Sequence, residues 1–249
     1  MTDPQTSFLV LATQYSFYMT FAGMFAGAIY FLMERHNLTP KYSAVASLCM
    51  MVVAIAAINY ATMKDMAGLD GLYATLSNFP TEFRYVDWIL TTPLILSVLV
   101  MLTNSANKGA LIAKLMVADI IMIASGYAGE VSVNAAGGGT ATGWICFAIS
   151  TLSFVYILFV IYSELGEAAG DMPDDLHGSF SFLQNSILIF WIVYPIGYLI
   201  PLLGFQGELL AVRELVYCIA DLVSKVIFGM IAVSLAKKLS LREIGQKPY

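Results

Sequence analysis

The sequence predicts an all-α membrane protein: a bundle of seven transmembrane helices, N-terminus outside and C-terminus in the cytoplasm. Three observations predict it. Of the 249 residues, 59% are hydrophobic and 12% charged, and mean hydropathy is +0.78; a soluble domain carries about 25% charged residues. The apolar residues gather into seven stretches. Each is close to the roughly 20 residues that cross a ~30 Å hydrocarbon core as a helix. Finally, the basic residues divide unevenly between the two sides.

The first stretch, 8–33, follows a short polar run, 1–7. It has no basic leader and exceeds a signal h-region, so it reads as a retained helix. The second is 42–63. The third, 83–102, carries Arg84, Asp87 and Pro93, and the fourth, 111–128, carries Asp119. The Gly137-Gly138-Gly139 run then reads as a flexible loop. The fifth stretch is 143–163. The sixth, 182–203, contains Pro195, and the seventh, 209–239, contains Asp221 and Lys225. A proline inside a membrane helix frees a backbone carbonyl and kinks the axis. Residues 1–249 thus read as one membrane domain, without a soluble domain or an internal repeat.

Arg35, Lys41, Lys108, Lys114, Lys237, Lys238, Arg242 and Lys247 fall on one side, and Lys64 and Arg213 on the other. The positive-inside rule puts the first group in the cytoplasm. The acidic stretch 164–175 is then cytoplasmic too, though acids weigh little in that rule. A net charge of -5 says little about partners, and basic residues do not cluster with aromatics as a nucleic-acid surface would require. Cys49, Cys146 and Cys218 lie inside apolar stretches, without metal-ligand spacing or a disulfide framework. They read as small core residues, and no metal is expected.

An ionisable residue inside a span is a functional candidate. Lys225 sits mid-span, with Asp221 four residues before it on the same helix face. A central lysine costs roughly 2.5–3.5 kcal/mol even on the mildest scale. Asp87 and Asp221 can both serve as its counter-charges, with Arg84 keeping the carboxylates ionised. A buried amine of this kind can form an imine with a carbonyl cofactor. The same two cations and two anions equally make a balanced structural cluster, and the residues alone leave both readings open. Thr91 is one turn from Asp87 and on its face. Val98, eleven residues on, returns to that face about 16 Å further toward the cytoplasm. Trp191, Tyr194 and Tyr198 form a helical stripe that is either core or the wall of a slot for a long apolar ligand.

Four segments in order resemble a known family. They are Arg84-Tyr85-Val86-Asp87-Trp88 with Thr91-Thr92-Pro93, then Ala118-Asp119-Ile120-Ile121-Met122-Ile123, then Trp191-Ile192-Val193-Tyr194-Pro195, and finally Asp221-Leu222-Val223-Ser224-Lys225. The chain resembles the microbial (type 1) rhodopsins, in particular proteorhodopsins and bacteriorhodopsin, across all seven spans. The resemblance implies retinal, all-trans in the dark, bound to Lys225 as a protonated Schiff base. It puts Asp87 in the position of proton acceptor, Asp221 in that of second counter-ion, and Arg84 in that of the outward gate. Tyr60, Trp88, Thr92, Met122, Gly126, Phe147, Trp191, Tyr194, Pro195 and Tyr198 match pocket positions, and Asp119 matches a carboxyl near the ring end. The implied function is a light-driven outward proton pump in the plasma membrane, not an enzyme. Homo-oligomers, trimers or pentamers, are implied as well. The alternatives are a photosensor signalling to a transducer and an inward proton pump.

Some positions depart from the family pattern. Outward pumps usually carry a carboxylic proton donor where this chain has Val98. His36, at the cytoplasmic end of the first stretch, is a candidate relay in its place, since histidine titrates near neutral pH; a solvated loop histidine is the other reading. The second-helix histidine of proteorhodopsins is replaced by Asn59. Glu208 and Glu214 are candidates for proton release. Ile95, apolar where a glutamine shifts some members to blue, suggests green absorption. Phe147 is bulky where members with a carotenoid antenna are small.

Overall fold

A computed structural model describes residues 8–246 apart from 69, 73–75, 77, 78 and 171. Residues 1–7, Asp171 and Lys247, used in the sequence argument, lie outside the described residues. The elements are α1 (Phe8–Glu34), α2 (Pro40–Ala67), α3 (Arg84–Leu102), α4 (Lys108–Ala136), α5 (Ala141–Ala168), α6 (Asp174–Trp191), α7 (Val193–Leu202), α8 (Glu208–Leu222) and α9 (Phe228–Glu243). No strand occurs among the described residues. The helices form seven spans long and apolar enough to cross a membrane; α6 with α7 make the sixth, and α8 with α9 the seventh. Each span packs on its neighbour in sequence, and α1 closes the bundle against α8.

Span ends outrun the apolar stretches because helices continue into the polar interface. The sixth begins at Asp174 rather than at 182. Pro173 stands just before it, and Asp174 and Asp175 fill a first turn where negative charge suits the helix dipole. So much of the expected acidic loop is helix: α5 runs to Ala168 and α6 resumes at Asp174. Gly137 ends α4 in the left-handed conformation, φ 67°, which a side chain disfavours. The glycine run is therefore partly a helix cap.

Two irregularities shape the middle of the bundle. Pro195 has no N–H for the carbonyl of Trp191, and the sixth span breaks between them at Ile192. In the seventh span, residues Val223–Ile227 form a π-helical turn around Lys225. The Ser224 hydroxyl donates to the Ala220 carbonyl at 2.7 Å, the acceptor an α-helix would give to the Ser224 N–H.

The third span is the axis of the packing: 61% of its apolar window is buried, against 22% for the fifth. Leu152, Ile145 and Phe159 of α5 are exposed, as a face turned to lipid should be. The functional groups accordingly gather on α3 and on the seventh span.

Candidate functional site

Lys225 is 2% exposed, so its amine must find its partners inside the protein. Nζ donates to Oδ2 of Asp87 and lies 3.3 Å from Oδ2 of Asp221. The two carboxylates differ in what else holds them. Asp221 accepts from Tyr60 at 2.8 Å, Tyr194 at 2.5 Å and Trp88 Nε1 at 3.2 Å. Asp87 keeps Oδ1 buried and without a hydrogen-bond partner. The Thr91 hydroxyl donates to the Asp87 main-chain carbonyl at 3.0 Å and stands beside the carboxyl, which it also supports. Asn59 turns toward the sulfur of Met63 at 4.0 Å.

A buried polar chain runs from this centre toward Thr81. Arg84, fully buried, donates to Tyr60 at 2.6 Å and to Glu214 at 2.9 Å, and lies 3.7 Å from Asp221. Glu214 accepts from Thr81 and from Arg213 Nε at 3.2 Å. Arg213 also donates to Thr81, and pairs with Glu130 of α4 at 2.8 Å. Glu130 is 1% exposed and absent from the sequence-based candidates. It lies two residues past the fourth apolar stretch, and its partner is 83 positions away. A carboxyl on the helical continuation of a span is the signal that would have found it. Arg213, counted as a loop charge, is likewise 4% exposed and part of this cluster. Glu208 is exposed and stands outside it.

Beside Lys225 a slot opens between the spans. Trp88, Thr92, Met122, Phe147, Trp191, Tyr194, Pro195 and Tyr198 line it, as does Asp221. Tyr85, Ile95, Ile123, Ser150, Thr151, Phe154 and Ser224 line it too, and none of these was among the expected pocket residues. Three expected pocket residues are not in its wall. Tyr60 is the bridge between Asp221 and Arg84. Asp119 sits behind Thr92, whose hydroxyl donates to it at 2.7 Å. Gly126 supports the wall: a Cβ there would stand 2.9 Å from the ring of Tyr85 and 3.5 Å from the hydroxyl of Ser150.

The edge of the Trp88 indole meets Tyr194, ring centroids 4.6 Å apart, and Phe147 stacks on Tyr198 at 5.5 Å. Rigid aromatic walls, one reactive amine and two facing carboxylates are what an elongated apolar aldehyde needs. The residues present therefore fit retinal. His36 stands exposed in the turn Arg35–Asn37, while Val98 is 1% exposed in the core. Among the described residues no group of three or more His, Cys, Asp or Glu side chains could hold a metal ion.

Comparison with known proteins agrees with this geometry. The family described as "Bacteriorhodopsin-like protein" matches residues 11–239. A green-light absorbing proteorhodopsin from Gamma-proteobacterium EBAC31A08 is 30% identical over 231 residues, 92% of this chain and 88% of the relative. The crystal structure of Exiguobacterium sibiricum rhodopsin superposes with a TM-score of 0.87 at 42% identity, covering 95% of this chain and all of that one. Xanthorhodopsin, described as a light-driven ion pump with dual chromophore, gives 0.85 at 29% identity, covering 97% and 98%. The chain belongs to the bacteriorhodopsin-like family of microbial rhodopsins, multi-pass plasma-membrane proteins that bind retinal through a lysine Schiff base.

Proposed function

We propose that this light-driven pump moves protons outward, with retinal on Lys225, Asp87 as acceptor and Asp221 as fixed counter-ion. One observation carries the assignment: the two carboxylates beside Nζ are unequally satisfied. Three donors besides Lys225 hold Asp221 as an anion, whereas Asp87 has an unpartnered oxygen. Protonating Asp221 would waste hydrogen bonds to a charged group, each worth about 1.5–3 kcal/mol. Protonating Asp87 sacrifices fewer, its bond to Lys225 and the support of the Thr91 hydroxyl. Bound to Lys225, retinal would supply the light-driven change that lowers the proton affinity of Nζ relative to that of Asp87.

Asp87 takes that proton directly, because it is already the hydrogen-bond partner of Nζ. Tyr60 and Arg84 transmit the resulting charge change to Glu214, Arg213 and Glu130. Lys225, Arg84 and Arg213 face Asp87, Asp221, Glu214 and Glu130, one more carboxyl than cations. An uncompensated buried charge is costly, so the cluster as a whole holds one proton to give up. Val98, buried and apolar, donates nothing. Protons return to Lys225 from bulk water, with His36 at the surface as the candidate relay. Thr91 positions Asp87 through its main chain. The whole reaction lies in one membrane domain; the trimer or pentamer is a packing of complete pumps.

Illumination of unbuffered cells expressing the protein with retinal tests the reading. Acidification that a protonophore abolishes is expected. Alkalinisation would mean inward transport, and no pH change would favour a sensor.

A further inference from the structure

Thr151 is anomalous among the buried hydroxyls of the spans. Thr13, Ser16, Thr20, Thr91, Thr92, Ser97, Ser186 and Ser224 all donate to a main-chain carbonyl of their own helix. Its neighbour Ser150 donates across to the carbonyl of Met122 at 2.9 Å. The Thr151 Oγ1 is buried and bonds to nothing, although the carbonyl of Phe147 lies one turn back on α5. Thr151 lines the slot. A second orphan lies close by in the fold: Oδ1 of Asp119, a residue 0% exposed, whose other oxygen is held by Thr92 of the slot wall. Asp119 is one turn from Met122, the residue that receives Ser150. The α4–α5 side of the slot, apolar in most of its lining, thus carries one unused hydrogen-bonding atom, Thr151 Oγ1, with the Asp119 orphan behind its wall.

Retinal itself cannot use that atom, because its ring is a hydrocarbon. Buried polar atoms are almost always paired. A ring hydroxyl could pair with Thr151 as either donor or acceptor, whereas a ring ketone could only accept from it.

We propose that the α4–α5 side of the slot accepts a retinal whose ring bears a hydroxyl, with Thr151 as the residue that selects it. This rests on the retinal reading above and adds a ligand class to it. Binding remains attachment to Lys225; the ring hydroxyl adds a hydrogen bond and no new covalent step.

The test is competition. Membranes containing apoprotein are given an equimolar, limiting mixture of all-trans-retinal and all-trans-3-hydroxyretinal, and the bound chromophores are extracted and quantified. The hydroxylated form should be enriched several-fold, up to about tenfold for one net hydrogen bond. In Thr151→Val, nearly the same shape without the hydroxyl, the ratio should fall to the mixing ratio. Thr151→Ser should keep the enrichment. An unbiased ratio in the wild type overturns the proposal, as does equal enrichment in Thr151→Val. Should Thr151→Val fail to assemble, the wild-type ratio and Thr151→Ser decide. A wild type that forms no band with either aldehyde sinks the retinal reading as well, which an unbiased ratio does not.

Discussion

The bundle is wired on one side of Lys225 and dry on the other. Toward Thr81, Asp221, Tyr60, Arg84, Glu214, Arg213 and Glu130 form a continuous buried chain. Toward the C-terminal end, α3 after Asp87 and the seventh span between Lys225 and Lys237 carry no carboxyl and no histidine. Val98, Leu99 and Val100 there are fully packed. The contrast teaches where speed and slowness belong. In the outward reading proposed above, a proton leaving Lys225 would meet groups already hydrogen-bonded to one another, and a proton arriving would cross an apolar layer.

The contrast can be broken at its centre first. Lys225→Ala should abolish the visible band on adding retinal, a complete loss read by absorption. Asp87→Asn should keep a pigment but reduce light-driven acidification by at least about 100-fold, the lower range for removing a positioned proton acceptor. Asp221→Asn should instead damage the protein. It leaves Lys225 and Arg84 short of a charge, at about 3–5 kcal/mol, and should show as a lower melting temperature of the pigment.

On the dry side, reprotonation should slow about tenfold per pH unit in the wild type if bulk water is the source. Val98→Glu should accelerate it and flatten that dependence, read by flash photolysis across pH 6–9. Rapid, pH-independent recovery in the wild type would mean an internal donor. On the wired side, Glu130→Gln should delay the appearance of protons at a surface dye several-fold without changing the absorption maximum. The smallest effects belong to groups in neither half. His36→Ala should show whether the relay matters, and less than a twofold change in recovery is expected of an exposed side chain. Arg242→Ala removes the pair in which Nη2 donates to both oxygens of Asp175 at 2.6 Å, and a surface bridge of this kind should leave the melting temperature nearly unchanged.

The spans and the pair Asp87–Lys225 were legible in the sequence for one reason: lipid forbids almost everything else. A charge inside 20 apolar residues is conspicuous. Legibility fails where that constraint relaxes. The sixth span starts eight residues early because its first two turns lie in the polar interface, where hydropathy is silent. Glu130 escaped because it lies just past its apolar stretch, and Arg213 because it stands at the very start of its own, until folding brings the two 2.8 Å apart. Thr91 was put on the correct face, yet which acceptor its hydroxyl takes is a rotamer choice that spacing does not encode. Thr151 is the extreme case, since nothing in sequence separates it from Ser150 beside it, which is bonded.

The π turn at Val223–Ile227 divides the seventh span into two pieces with independent azimuths. In an unbroken α-helix, each residue advances the direction of every later side chain by 100°. The wider turn absorbs part of one such step at Lys225. So α8 can aim Asp221 at Tyr60 and Tyr194, while α9 aims a different stripe at α2 and α6. Deleting one residue between 223 and 227 would restore regular winding and turn one piece against the other by up to one residue's rotation. The seventh span would then satisfy its carboxylate or its packing, but not both.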